Sequence, residues 1–139
     1  GAKMKTTTFI VPGQARPKVR PQVTRGGRHT FTPDTWGYPG TVAGYARKAG
    51  LHPTDGAVEV HIIIMRALPK STSKAEAFYG QPVTVKPDGV NIEANIWDAL
   101  TGIAYKDDAQ VASWSGQMCW AKEHLVEITV IQELSEPSG

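Results

Sequence analysis

Residues 58–65, VEVHIIIM, constrain the fold most. Val58, Val60, Ile62 and Ile64 alternate with Glu59, His61, Ile63 and Met65. A period of two puts each set on one face of a strand, and the β-branched residues favour that state. The segment predicts a strand over Ala57–Arg66. The second set is half apolar, which predicts a central strand covered on both faces. His61 on such a strand is expected to be structural, and a central strand needs neighbours on both sides.

Other segments supply them. Thr6–Val11 reads as a first strand, ended by Pro12-Gly13. A Pro- and Arg-rich loop follows to Gly27, then a short strand at Arg28–Thr32. Pro33-Asp34 offers a helix start, with Val42, Tyr45, Ala46 and Ala49 on one face. Lys70–Phe78 reads as a short polar helix, and Gln81–Lys86 as a brief extended piece. Ile92–Ile103 is the strongest helix: Ile92, Ile96, Trp97, Leu100 and Ile103 recur at helical spacing. Asn91 is its expected cap and Gly102 its expected terminator. Strands at Ala109–Trp120 and His124–Ile131 are expected to form a hairpin through Ala121-Lys122-Glu123. This order predicts an α/β chain of the α+β type, a mixed sheet with helices packed against it.

The 139 residues suit a single domain, 1–139. Gly1-Ala2-Lys3 before Met4 reads as a cloning remnant, and Glu133–Gly139 as a frayed tail. With 40% hydrophobic and 20% charged residues, the chain is globular in composition, not disordered. No apolar run approaches the roughly 20 residues of a membrane span, and no signal peptide is visible. The single cysteine, Cys119, excludes an internal disulfide and suits a reducing, cytoplasmic setting. It is expected to be a small buried residue rather than a reactive thiol.

A net charge of +2 hides an asymmetry. Residues 1–33 carry +7 with no acid, so the remainder carries −5. A basic arm beside an acidic body suits a nucleic-acid enzyme, although a solvated basic loop has the same composition. Among the acids, Asp88 precedes the strongest helix, and Asp107-Asp108 follow it. If they converge, they form an oxygen site suited to Mg²⁺. A helix of a dozen residues spans about 18 Å, so convergence demands that the following loop fold back. Judged by spacing alone, a solvent-facing Pro-Asp turn and an Asp-Asp loop are favoured over a metal site. His29, His52, His61 and His124 show no metal-ligand spacing. No phosphate loop, nucleophile elbow or dinucleotide fingerprint occurs.

The segment KPDGVNIEANIWDALTGIAYKDDAQV, residues 86–111, changes the balance. With VPGQARPKVRP (11–21) and PKSTSK (69–74), it resembles RusA-like Holliday-junction resolvases of bacteria and their phages. That family's signature runs approximately K-P-D-x-D-N-x-x-K, D-A-L-N-G and D-D-A-Q-V. The likeness extends from residue 9 to about 112 without a gap between Asp88 and Asp108. It implies a homodimer with a mixed α/β fold that binds branched DNA, four-way junctions above all, and nicks it in pairs with Mg²⁺ or Mn²⁺. A bacterial or phage-infected cytoplasm is the implied location. The metal-binding acids map to Asp88 and Asp108, with Asp107 beside them and Asn91 as a structural neighbour.

Two positions depart from the pattern. The family's second aspartate falls on Val90, and its basic residue on the helix falls on Ala94. Valine binds no hard cation and alanine neutralises no phosphate charge, so weak or absent cleavage is expected. The sequence leaves open whether these residues are engineered or natural. Arg16, Lys18, Arg20, Arg25 and Arg28 are the first candidates for phosphate contacts, with Lys70, Lys74 and Lys86 second. Phe31, Trp36 and Tyr38 are expected in dimer or core packing. Two alternatives stand beside an impaired nuclease: a branched-DNA-binding module that never cuts, and a small α/β domain whose basic arm binds protein or RNA.

Overall fold

A computed structural model describes residues 3–18, 22–23, 29–30 and 37–134. Six strands and two α-helices lie among these: β1 Lys3–Pro12, β2 Gln22–Val23, β3 His29–Thr30, α1 Tyr38–Lys48, β4 Val58–Ala67, α2 Gly89–Leu100, β5 Val111–Ala121 and β6 Leu125–Leu134. The expected helix start at Pro33-Asp34 and the side chains of Phe31 and Trp36 lie outside the described residues.

The main sheet has the order β1-β6-β4-β5. β6 is antiparallel to both β1 and β4, and β5 is parallel to β4. The sheet is mixed with helices packed against it, as the sequence predicts, but they lie on one face only. β2 and β3 form a separate antiparallel pair, so β2 interrupts the expected loop. The expected β5–β6 hairpin is not made. Parallel pairing of β4 with β5 is served by the crossover through α2. The chain then steps from β5 over the end of β4 to reach β6. His124 secures that step, its Nδ1 accepting the Ala67 N–H at 3.1 Å. Turn residues at 121–123 suggested a hairpin because local chemistry does not reveal which strand fills the gap between two others.

Alternation decides which side of the sheet is buried. Phe9 and Val11 of β1, Val126, Ile128 and Val130 of β6, and Val58, Val60, Ile62 and Ile64 of β4 face one core. Onto it α2 lays Ile92, Ile96 and Leu100, each side chain contributing roughly 1.5–3 kcal/mol. Beside α2 packs α1, burying Val42 and Ala46. It begins beyond Gly37 with Pro39 in its first turn and ends at Gly50, whose φ of +90° suits glycine. Tyr38 and Tyr105 have phenols pushed up to about 12 by burial.

The opposite face is a correction. Glu59, His61, Ile63 and Met65 are half-buried, and no described helix covers them. Here His61 is structural: its ring bonds Ser115 Oγ at 2.5 Å and Glu59 Oε1 at 2.8 Å, tying β4 to β5. Cys119 is likewise half-buried. The expected polar helix shrinks to a 3₁₀ turn, Ala75–Phe78. At the ends of the sheet Lys3 pairs with Leu134, and the Glu133 N–H donates to Ala57 O; the rest of the expected tail, residues 135–139, lies outside the described residues.

Candidate functional site

The 86–111 segment forms α2 and both its flanks. Asp88, not Asn91, is the N-cap, and its side chain makes no capping bond. Asn91 already lies inside the first turn, its N–H donating to Asp88 O. Asp88 is therefore held in extended backbone at the helix mouth with its carboxylate about half exposed. Lys86 Nζ lies 3.6 Å from it, a weak, solvent-screened pair. The helix closes at Thr101, and Gly102 turns the chain back with a φ of +87°.

Val90 and Ala94 share one face of α2, four residues apart. Val90 is 77% exposed, an unusual environment for valine. Beside it runs an open groove of about 400 Å³, lined by Val83, Gly89, Val90, Glu93, Gly116 and Met118 among others. Glu93 was not singled out by the sequence reading, although its spacing from Val90 places it on the same face. Its carboxylate lies directly over Gly116: a Cβ there would stand 2.5 Å from Oε1. Burial pushes the Glu93 carboxyl above its ordinary value, and a hydrogen bond with the Trp97 side chain partly opposes this.

The other two acids sit beyond the far end of α2. Asp107 caps a 3₁₀ turn, Asp108–Gln110, accepting the Ala109 N–H at 2.8 Å. Gln110 organises the loop. Its Oε1 accepts the Lys106 and Asp107 N–H groups, and its Nε2 donates to Thr54 O and Gly56 O. Asp108 is exposed. Gly89 lies beside Met118 of β5, whereas Asp108 precedes Val111 at the strand's start. Seven residues of strand separate these levels, roughly 23 Å. Among the described residues, no three Asp, Glu, His or Cys side chains form a group that could hold a metal.

The basic arm is anchored on α2. Asn95 Nδ2 donates to Arg16 O at 2.8 Å, the Lys18 N–H donates to Asn91 O, and Lys18 Nζ meets Asp98 at 2.9 Å. Asn91, Asn95 and Asp98 make one stripe of the helix, so the arm starts along α2. Asn95 is buried, and its helical position gave no sign of this role. Asn95→Ala leaves the Arg16 carbonyl without its donor, and a thermal or denaturant melt is expected to show a loss of about 1–3 kcal/mol. Faster tryptic cutting at Lys18 should accompany it. Arg20, Arg25 and Arg28 lie outside the described residues. Lys70 and Lys74 are exposed on the connection after β4, at the same end of the sheet as Lys86 and Asp88.

Comparison with known proteins identifies the family. Residues 12–131 match the family described as Endodeoxyribonuclease RusA. The chain is also 36% identical over 87 residues to the uncharacterized protein YqaN of Bacillus subtilis (strain 168). That match covers 58% of this chain and 60% of YqaN, so the chain spans less than two thirds of that relative's length.

Proposed function

Because the chain belongs to the RusA endodeoxyribonuclease family, we propose that it is a structure-selective DNA-binding protein of four-way junctions, built as a nuclease that nicks them in pairs. The observation that carries this is the anchoring of the basic arm along α2, the helix whose first turn holds the signature acid. Cations from the arm and from Lys70, Lys74 and Lys86 can then neutralise phosphates while Asp88 lies at the helix mouth. Action on DNA of a bacterial or phage-infected cytoplasm follows from the proposal. No described helix is long and apolar enough to cross a membrane.

A single chain does not fit the divalent metal that such nucleases employ. Asp88 is the lone carboxylate of the signature at the mouth of α2, Val90 offers no donor, and Asp107 and Asp108 lie beyond the opposite end. We therefore assign this chain impaired cleavage with retained binding. Its alternative, a module that holds branched DNA and never cuts, is favoured by the exposed Val90 itself.

Competition between a four-way junction and linear duplex of equal length tests the proposal. Junction preference of at least about tenfold, or 1.4 kcal/mol, is expected at moderate salt. Affinity should fall steeply as salt rises, which reports phosphate contacts alone. Equal affinity for both DNAs would sink the junction assignment whatever the salt slope.

A further inference from the structure

The sheet face turned away from the helices holds an acid inside an apolar patch. Register sets its composition. Ile10, Glu127 and Ile63 stand side by side across β1, β6 and β4, with Pro12, Leu125 and Met65 in the next row on that face. Ile10 is 50% exposed, and Ile63, Met65 and Leu125 are half-buried although no described helix covers them. Glu127 is itself half-buried between the two isoleucines. Glu59, on the same face, has His61 as its partner, whereas no described cation pairs with Glu127 or Glu133. Among the strand residues of this face there is no lysine or arginine. Arg47 and Lys48 of α1, and Arg16 held along α2, lie on the helix side. The two sides of the sheet therefore differ in sign.

We propose that this face docks a basic amphipathic helix of another protein, with a lysine or arginine of that helix set against Glu127. Such docking is independent of the nuclease reading. A sheet face left in water is normally polar, and this one carries four large apolar side chains in two adjacent rows. Whatever covers them also covers Glu127. A carboxylate taken out of water without a counter-charge is costly, so the covering surface must bring a cation. Nucleic acid does not fit, because Glu59, Glu127 and Glu133 repel its phosphates. A second copy laid on the same face does not fit either, since it sets acid against acid. An amphipathic helix does fit: its apolar stripe meets the isoleucine, leucine and methionine side chains, as that of α2 does on the other face. The ten residues of β4 or β6 run about 33 Å, the length of about 20 helical residues.

Peptide binding tests this without DNA or metal. The probe is a labelled helical peptide of about 18 leucine and lysine residues, the leucines on one face. Its control carries glutamate in place of lysine. Titrating each with the full chain and reading anisotropy is expected to give micromolar binding of the lysine peptide and at least about tenfold weaker binding of the control. Glu127→Lys and Ile10→Ser are each expected to weaken the lysine peptide at least about tenfold with unchanged far-UV circular dichroism. Glu76→Lys makes the same charge change at an exposed turn away from this face and is expected to leave binding as it was. No binding of the lysine peptide overturns the docking site. So does an equal loss in Glu76→Lys and Glu127→Lys, which would report net charge alone. A parent dimer that falls apart in Ile10→Ser during sedimentation overturns it too, because a second copy then covers the face. Junction affinity, measured without peptide, is expected to be the same for the parent and Ile10→Ser, and a loss there would put DNA on this face instead. A chain that binds the peptide at this face but ignores junctions sinks the nuclease proposal alone.

Discussion

Replacing Val90 by Asp and Ala94 by Lys together is expected to raise junction cleavage by at least about a hundredfold over the parent chain, the scale on which one transition-state charge contact acts. The effect is chemical rather than structural. Val90 is 77% exposed in the first turn of α2, a turn without an acidic residue. An aspartate there removes an apolar side chain from water and faces the positive end of the helix dipole, a gain of roughly 0.3–1 kcal/mol. Ala94 lies half-exposed one turn later, so a lysine can extend its ammonium into solvent or toward a phosphate. Neither change asks the core to move. Adding one carboxylate beside Asp88 supplies the second hard donor that the helix mouth lacks. Adding one cation opposes the charge that builds on a cleaved phosphate.

Junction cleavage in Mg²⁺ by gel assay checks this, with Asp88→Asn in the restored background as the internal control. Symmetric paired nicks that appear only in the restored chain, and vanish with Asp88→Asn, support an inactivated nuclease. If the restored chain binds junctions but cuts none, the carry-over of positions 90 and 94 is wrong, and the non-cleaving module takes its place. Each half of the pair is informative. A gain from Val90→Asp alone would locate the defect in the acids, whereas a gain that needs both would locate it in charge balance.

Much of this architecture is legible in the sequence because it rests on local periodicity. β4 and α2 carry period-two and period-3.6 patterns strong enough to survive any tertiary context, and both form within three residues of their expected limits. What the sequence hides is set by contacts between distant segments. Strand order is one case: β5 and β6 are joined by three residues and are not neighbours, because β4 lies between them. The half-open sheet face is another, since alternation reveals two faces but not which helices cover them. At the site, the signature acids are readable and their separation is not: α2 is a rigid spacer, and its flanks lie at opposite ends of β5. Asn95 and Gln110 look like ordinary polar residues in one dimension. Only the fold shows that one holds the basic arm and the other holds the loop of Asp107 and Asp108.

Gln132→Leu is expected to lower stability by about 2–4 kcal/mol, the largest loss foreseen for a single polar side chain here. By pattern Gln132 belongs to the inward set of β6, after Val126, Ile128 and Val130, and it is 1% exposed. Its Nε2 donates to His52 O and to Ala104 O, both at 2.8 Å. One amide thus ties the last strand to the segment before β4 and to the turn after α2. Leucine matches its volume and gains some apolar burial, but it leaves two carbonyls without their donor. That penalty exceeds the gain because an unmade buried hydrogen bond costs the full desolvation of the group left behind. For a chain of this size each kcal/mol moves the melting temperature by about 3 °C, so a fall of about 6–12 °C is expected. Hydrogen exchange should quicken first in residues 102–109, the loop that Ala104 shares with Asp108. A change of less than about 1 kcal/mol would show that water replaces the amide there, and that the loop of Asp108 is held by Gln110 alone.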